Sequence, residues 1–194
     1  MEPSMNLALE IAMGICLAAC AGLRAFLPLF VVGVAGRMDW IPLSQNFGWL
    51  SSAPALVILG VAVATELIGD KIPIVDHFLD LLQTFVRPAA GAVLAASVLT
   101  DLKPLQAALL GLLVGGSTAG LVHLTKAKLR ILSTAATFGL GNPVLSVGED
   151  VATIFGSVAA LVIPFVMIAL IVLGMILIIL AMRRFSVRAS HFQQ

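Results

Sequence analysis

Charge is scarce in this sequence. Of 194 residues, 11 are basic and 10 acidic, so 11% of the chain is charged. A soluble domain carries roughly 25%. The deficit excludes a soluble globular enzyme and a disordered chain, which needs charge and polarity to stay solvated. The net charge of +1 provides no field for polyanions and so excludes a nucleic-acid binder. Cysteine is also scarce. Cys16 and Cys20 stand four apart on one helix face and read as small apolar packing residues. No nucleophile elbow, His-Glu-x-x-His pattern or Gly-rich phosphate loop is present, which argues against an enzyme.

What remains is apolar. Hydrophobic residues make up 60% of the chain, and the mean hydropathy is +1.12. Lipid offers no water to satisfy an open backbone, so the prediction is all-α: a polytopic transmembrane helical bundle. Residues 1–194 form one domain with about five to seven crossings. Charge-free runs cover Trp40–Thr65, Pro104–Thr125 and Val151–Met182. Met5–Gly36 is interrupted by Glu10, Arg24 and Pro28 and is predicted to kink near Pro28. Leu17-Ala18-Ala19-Cys20 looks like a lipoprotein cleavage box, but Glu2 stands where a leader needs basic residues, so the segment reads as a span. Ile72–Val86, Pro88–Thr100 and Ile131–Ile154 read as short or broken helices, tolerated at membrane depth where they line a cavity.

Arg183, Arg184 and Arg188, like Lys126, Lys128 and Arg130, follow apolar runs and are expected on the cytoplasmic side, with the C-terminus. The chain must then cross between Arg130 and Val158, through a segment broken at Asn142-Pro143. Ala107, Gly111, Gly115 and Ala119 repeat every four residues, a stripe for close helix packing that also offers a homo-oligomer contact.

The few charges are concentrated. Glu66, Asp70, Lys71, Asp76, His77, Asp80 and Arg87 lie within one stretch, Glu149 and Asp150 in another, and Arg24 alone in the first span. A charge at the bilayer centre costs about 3 kcal/mol, so eight facing lipid would cost on the order of 20 kcal/mol, more than a typical domain's stability. They must lie at the interface or face one another. Glu66 and Asp70 are four apart, as are Asp76 and Asp80, so each pair shares a helix face. We expect an ion- or solute-binding cluster of Glu66, Asp70, Asp76, Asp80, Asn142, Glu149 and Asp150, with Arg24, Lys71 and Arg87 as counter-ions or gates. Such oxygen ligands suit Mg, Mn or Ca as a substrate, with no resident cofactor. The alternative makes Ile72–Val86 an amphipathic surface helix with its acids in water. His77 and His123 read as a polar-face and an interface residue.

Gly69–Phe85 can be laid on Gly139–Phe155 with matching Gly, Pro, Asp and Phe. This weak repeat suggests units 1–86 and 87–157 and a final span 158–183, with parallel or inverted orientation left open.

Gly22-Leu23-Arg24-Ala25-Phe26-Leu27-Pro28, Asp70-Lys71-Ile72-Pro73 with Asp76, Asp80 and Thr84, Arg87-Pro88-Ala89-Ala90-Gly91, and Asn142-Pro143 with Ser146, Glu149 and Asp150 resemble the bacterial membrane family catalogued as domain of unknown function 4126. The resemblance covers nearly the whole chain. It implies a bacterial inner-membrane protein and these site residues, and supplies no substrate. Glu66-Leu67-Ile68-Gly69-Asp70-Lys71 is similar, with one extra residue, to a motif of a manganese and calcium transporter family. The leading expectation is a small transporter or channel, proton- or cation-coupled. The alternative is phospholipid or lipid-carrier binding through Arg24 and Arg87. A membrane-embedded hydrolase and a non-transporting scaffold have less in the sequence to support them.

Overall fold

The computed structural model describes residues 7–69, 73–138 and 140–191, with side-chain surroundings for 7–69, 82–138 and 140–178. The described residues are helical and contain no strand. The helices are α1 (Leu7–Leu23), α2 (Phe26–Arg37), α3 (Ala53–Gly69), α4 (Pro73–Val98), α5 (Pro104–Thr137), α6 (Asn142–Val162) and α7 (Pro164–His191). A short 3₁₀ helix, Gln45–Ser51, precedes α3 and is bent 64° from it.

Prolines decide where these helices stop. A proline ring clashes with the carbonyl four residues before it. For Pro28 that residue is Arg24, and the helix breaks at Arg24-Ala25. The kink expected near Pro28 therefore falls one turn earlier, and it is a reversal. Cys16 donates to Pro164 O at 3.3 Å and Glu10 holds the Thr100 amide at 3.1 Å. The loop after α2 returns to the same end, where the Ser44 amide meets Ser97 O at 2.8 Å. So α1 and α2 form a hairpin whose tip is Arg24-Ala25.

Pro164 corrects a second expectation. Val151–Met182 is not one run through the membrane. Ile163, forced out of helical geometry before a proline, has φ −138° and ends α6. The helix is interrupted at Ile163, inside the expected segment 158–183, and α7 packs back along α6, with Met167 against Gly156. The break expected around Asn142-Pro143 is present: α5 ends at Thr137 and α6 begins at Asn142, with Pro143 in its first turn, where a missing N–H costs nothing. Pro88, by contrast, does not break α4, so the short segments expected on either side of it join into one helix of 26 residues. Its ring lies on the glycine face of α5, beside Gly120.

Among the described residues, α5 and α6 are long and apolar enough to cross a membrane, and the bent pair before α4 makes a third candidate. This is fewer than about five to seven, because Leu7–Leu23, Phe26–Arg37, Leu82–Val98 and Pro164–Ile178 are shorter apolar helices. Both α4 and α6 run antiparallel to α1, since Arg87 reaches Gly22 and Asp150 reaches Arg24. The similar segments after Pro73 and Pro143 thus run in the same direction. Lys126–Arg130 and the C-terminal half of α7 share one end of the bundle, as reading both as cytoplasmic requires. Exposed Trp40 and Trp49 mark the opposite end, where aromatic residues suit the interface.

The small-residue stripe packs against α4 within the chain. Ala107 and Ala119 are fully buried. A Cβ on Gly115 would stand 2.4 Å from Gly91 O, and one on Gly111 would stand 2.5 Å from Ala92 O. The contact lies in a π-helical turn of α5, Gly111–Gly116, where the wider turn brings the backbone against α4. Gly115→Leu is expected to cost at least about 1–3 kcal/mol through overpacking. It should lower the melting temperature in detergent, whereas Gly174→Leu, with no neighbour within 4 Å of the new carbon, should leave it unchanged.

Candidate functional site

The hairpin tip creates an electrostatic problem. The last carbonyls of α1 and the first amides of α2 have lost their helical partners, and both termini are buried. Each end also carries the partial charge of its helix dipole, negative on α1 and positive on α2. The surrounding helices answer with side chains of opposite sign.

Glu66, at the end of α3, caps α2. Its carboxylate accepts the amides of Ala25 at 2.9 Å and Phe26 at 3.2 Å, and also the Gln83 side-chain amide at 3.2 Å. Three cations gather at the end of α1. Lys126 donates to Leu23 O at 3.1 Å, Arg87 donates to Gly22 O at 3.5 Å, and Arg24 is the next residue in the chain. Arg24 and Arg87 are 0% exposed. Arg24 reaches Glu66 O at 3.4 Å, the Ser146 hydroxyl at 3.0 Å and Asp150 at 2.5 Å. Arg87 also donates to the Gln83 carbonyl and to His123 Nδ1, the latter at 2.6 Å. An arginine only donates, so Nδ1 accepts and the ring proton sits on Nε2, facing Thr84 Oγ1 at 3.3 Å. Glu149 completes the group, pairing with Lys126 at 2.8 Å and Arg130 at 3.3 Å.

The structure therefore brings together Arg24, Glu66, Arg87, Glu149 and Asp150 of the expected site. It does not bring them together as an acidic cluster. Glu66, Glu149 and Asp150 each have their own cation or helix terminus, and among the described residues no three His, Cys, Asp or Glu side chains converge. Asn142 stands apart, two turns before Asp150, with its amide on the Thr134 hydroxyl at 2.9 Å. Asp70 and Lys71 lie outside the described residues. Asp76 and Asp80 belong to α4, in the part whose side chains lie outside the description, as does His77.

Four participants were not expected. Gln83 sits four residues before Arg87 on the same helix, a spacing that could have marked it. Lys126 follows an apolar run like an ordinary flanking charge, yet its ammonium is buried. His123 is buried on Arg87 rather than lying at an interface. Ser146, buried against Arg24, was noted only as part of the family pattern. Glu10 lies elsewhere, fully buried in α1, and holds the amides of Thr100 at 3.1 Å and Asp101 at 3.4 Å. There it ties the end of α4 to α1.

An apolar groove of about 310 Å³ adjoins the site. Leu23, Leu129, Leu145, Ala152, Met175 and Ile178 are among the residues lining it, with the Lys126–Glu149 pair in its wall.

A family model described as a domain of unknown function (DUF4126) matches residues 11–184, and the chain belongs to that family. No curated protein and no solved structure matches it.

Removing one partner of a buried ion pair costs more than removing both, because a stranded charge keeps its desolvation penalty. Arg24→Met alone is expected to destabilise the protein by about 3–5 kcal/mol. Arg24→Met with Asp150→Leu should recover most of that loss. A double-mutant cycle in thermal unfolding checks it, and additive losses would contradict the pairing.

Proposed function

We propose that this family member is a small membrane transport protein and that the break between α1 and α2 is its solute site. The reading places it in the bacterial cytoplasmic membrane, C-terminus inside, with no catalytic step. One observation supports it most. A buried helix reversal is bordered by two ion pairs, Arg24–Asp150 and Lys126–Glu149, whose carboxylates a solute could replace, and broken helices with such termini are where carriers bind solutes. Ionisable groups inside a membrane are costly and are kept for function.

The difference in burial favours an anion. Arg24 and Lys126 are 0% and 3% exposed, whereas their partners Asp150 and Glu149 are 16% and 12% exposed. Glu66 is committed to the α2 amides. Asp150 and Glu149 occupy cations in the manner of an internal substitute for a solute anion. An anion arriving on Arg24 displaces Asp150, and a proton taken up by the freed carboxylate keeps the charge of the site constant. The solute is thereby coupled to a proton. Transport of Mg, Mn or Ca has less support, since the described carboxylates that would strip such an ion of water, Glu66, Glu149 and Asp150, are already engaged.

Purified protein in liposomes, with an internal pH dye, tests this. Imposed gradients of acetate and inorganic phosphate should drive anion-dependent proton movement. Arg24→Gln should slow it at least 100-fold. Asp150→Asn should let anions move without protons. Flux of Mg²⁺, Mn²⁺ or Ca²⁺ with none for anions, or wild-type rates in Arg24→Gln, would overturn the reading.

A further inference from the structure

We infer that the solute leaves the charge site along the seam between α1 and α6, with α6 the helix that moves aside. The inference rests on the transport reading and adds its path. It starts from one face of α6. Ser146, Asp150, Thr153 and Ser157 follow one another at intervals of four, three and four residues, so they share that face. Ser146, Thr153 and Ser157 are buried. Arg24, Cys20 and Cys16 stand four apart on the facing side of α1, and all three are buried. The contacts run rung by rung. Arg24 holds Asp150 and Ser146. Cys20 is hydrogen-bonded to the Ser157 hydroxyl, and its sulfur lies 3.0 Å from where a Cβ on Gly156 would stand. Cys16 donates to Pro164 O at 3.3 Å, where α6 gives way to α7. Cys16 is eight residues before Arg24. The seam therefore extends about 12 Å from the hairpin tip, toward the end marked by Trp40 and Trp49. A carrier whose site lies at the tip needs a path in that direction.

The chemistry of the rungs fits passage. The Thr153 and Ser157 hydroxyls each donate to the carbonyl four residues before them, at 2.7 Å. Such local bonds exchange without stranding a charge. The Ser157 proton is already given to Thr153 O, so in the bond with Cys20 the thiol is the donor. Thr153, Ser157, Cys20 and Cys16 carry no charge. They offer hydroxyl and thiol protons to an anion in transit, with no fixed cation to trap it. The seam is closed as it stands, with Cys20 packed on the Gly156 backbone, so the solute passes when α6 parts from α1. Helix α6 suits that movement. It is continuous over 21 residues and is bounded by a break after Thr137 and another at Ile163. Its polar hold on α1 at the hairpin tip is Asp150 and Ser146 on Arg24, and the solute opens the first of these. Displacing Asp150 thus releases α6, so binding and movement are coupled, as alternating access around a fixed site requires.

Cys16 and Cys20 are the two cysteines of the chain and report on the seam without an engineered label. The full chain in liposomes is treated with N-ethylmaleimide, at rest and during flux driven by acetate or inorganic phosphate. Peptide mass spectrometry reads each thiol. Both should be inert at rest. During flux Cys20 should react at least tenfold faster, and Arg24→Gln should remove that acceleration. Thr153→Val keeps the shape and deletes the hydroxyl. It should lower the maximal flux at least fivefold and leave the half-saturating anion concentration unchanged, since the binding site is at Arg24. Ser157→Ala provides a second lost hydroxyl if the first variant does not fold. Val158→Thr, on the exposed side of α6, should change neither reading. Equal labelling at rest and during flux, or wild-type flux in folded Thr153→Val or Ser157→Ala, overturns the inference. Proton-coupled flux in the same liposomes separates the two proposals. Flux with Cys20 inert removes only the seam, whereas absence of flux removes the transport reading and the path with it.

Discussion

A helix that reverses inside a packed bundle leaves carbonyls at one end and amides at the other with no helical partner to receive them. Nearly every polar contact in the middle of this protein answers that deficit. The Glu66 carboxylate replaces the missing acceptors of α2, and Arg87 and Lys126 replace the missing donors of α1. These side chains come from α3, α4 and α5, so the reversal fixes how those helices sit. The close glycine contact between α4 and α5 then follows, since Arg87 and His123 must meet across it.

Once the termini are satisfied, the charges left over define what the site can do. Glu66 and its amides form a closed arrangement. Arg24 with Asp150 and Lys126 with Glu149 form two pairs in which an outside anion could stand where a carboxylate stands now. The two carboxylates are the less buried partners, 16% and 12% exposed against 0% and 3% for the cations. The carboxylates are the more accessible half of each pair and the cations the more buried half. That asymmetry supports a carrier for anions rather than for metal ions.

Much of this was legible in the sequence, and the limits have physical causes. Charge scarcity fixed the class, and the cost of a charge in lipid singled out Arg24, Glu66, Arg87 and Asp150 as internal. What composition could not show was pairing. Acids close in sequence suggested an acidic cluster, but Glu66 is assigned by the backbone deficit at Arg24-Ala25, visible only once the hairpin is formed. Proline was the other limit. Pro28 and Pro164 end helices, Pro143 starts one and Pro88 is carried within one. The same residue has three outcomes according to the neighbours that accept the freed carbonyl or make room for the ring. Lys126 escaped notice because a lysine after an apolar run has the same local pattern whether it snorkels to an interface or turns inward.

The central claim is that Glu66 holds the first turn of α2 in place at a buried helix break. Residue-resolved hydrogen exchange of the protein in bilayer nanodiscs measures this directly at the amides of Ala25 and Phe26. Slow exchange at both is predicted in the native chain. In Glu66→Ala it should become at least 100-fold faster, while the amides of Thr100 and Asp101, held by Glu10, stay slow. Rapid exchange at Ala25 and Phe26 in the native chain, or rates indifferent to the substitution, would contradict the account.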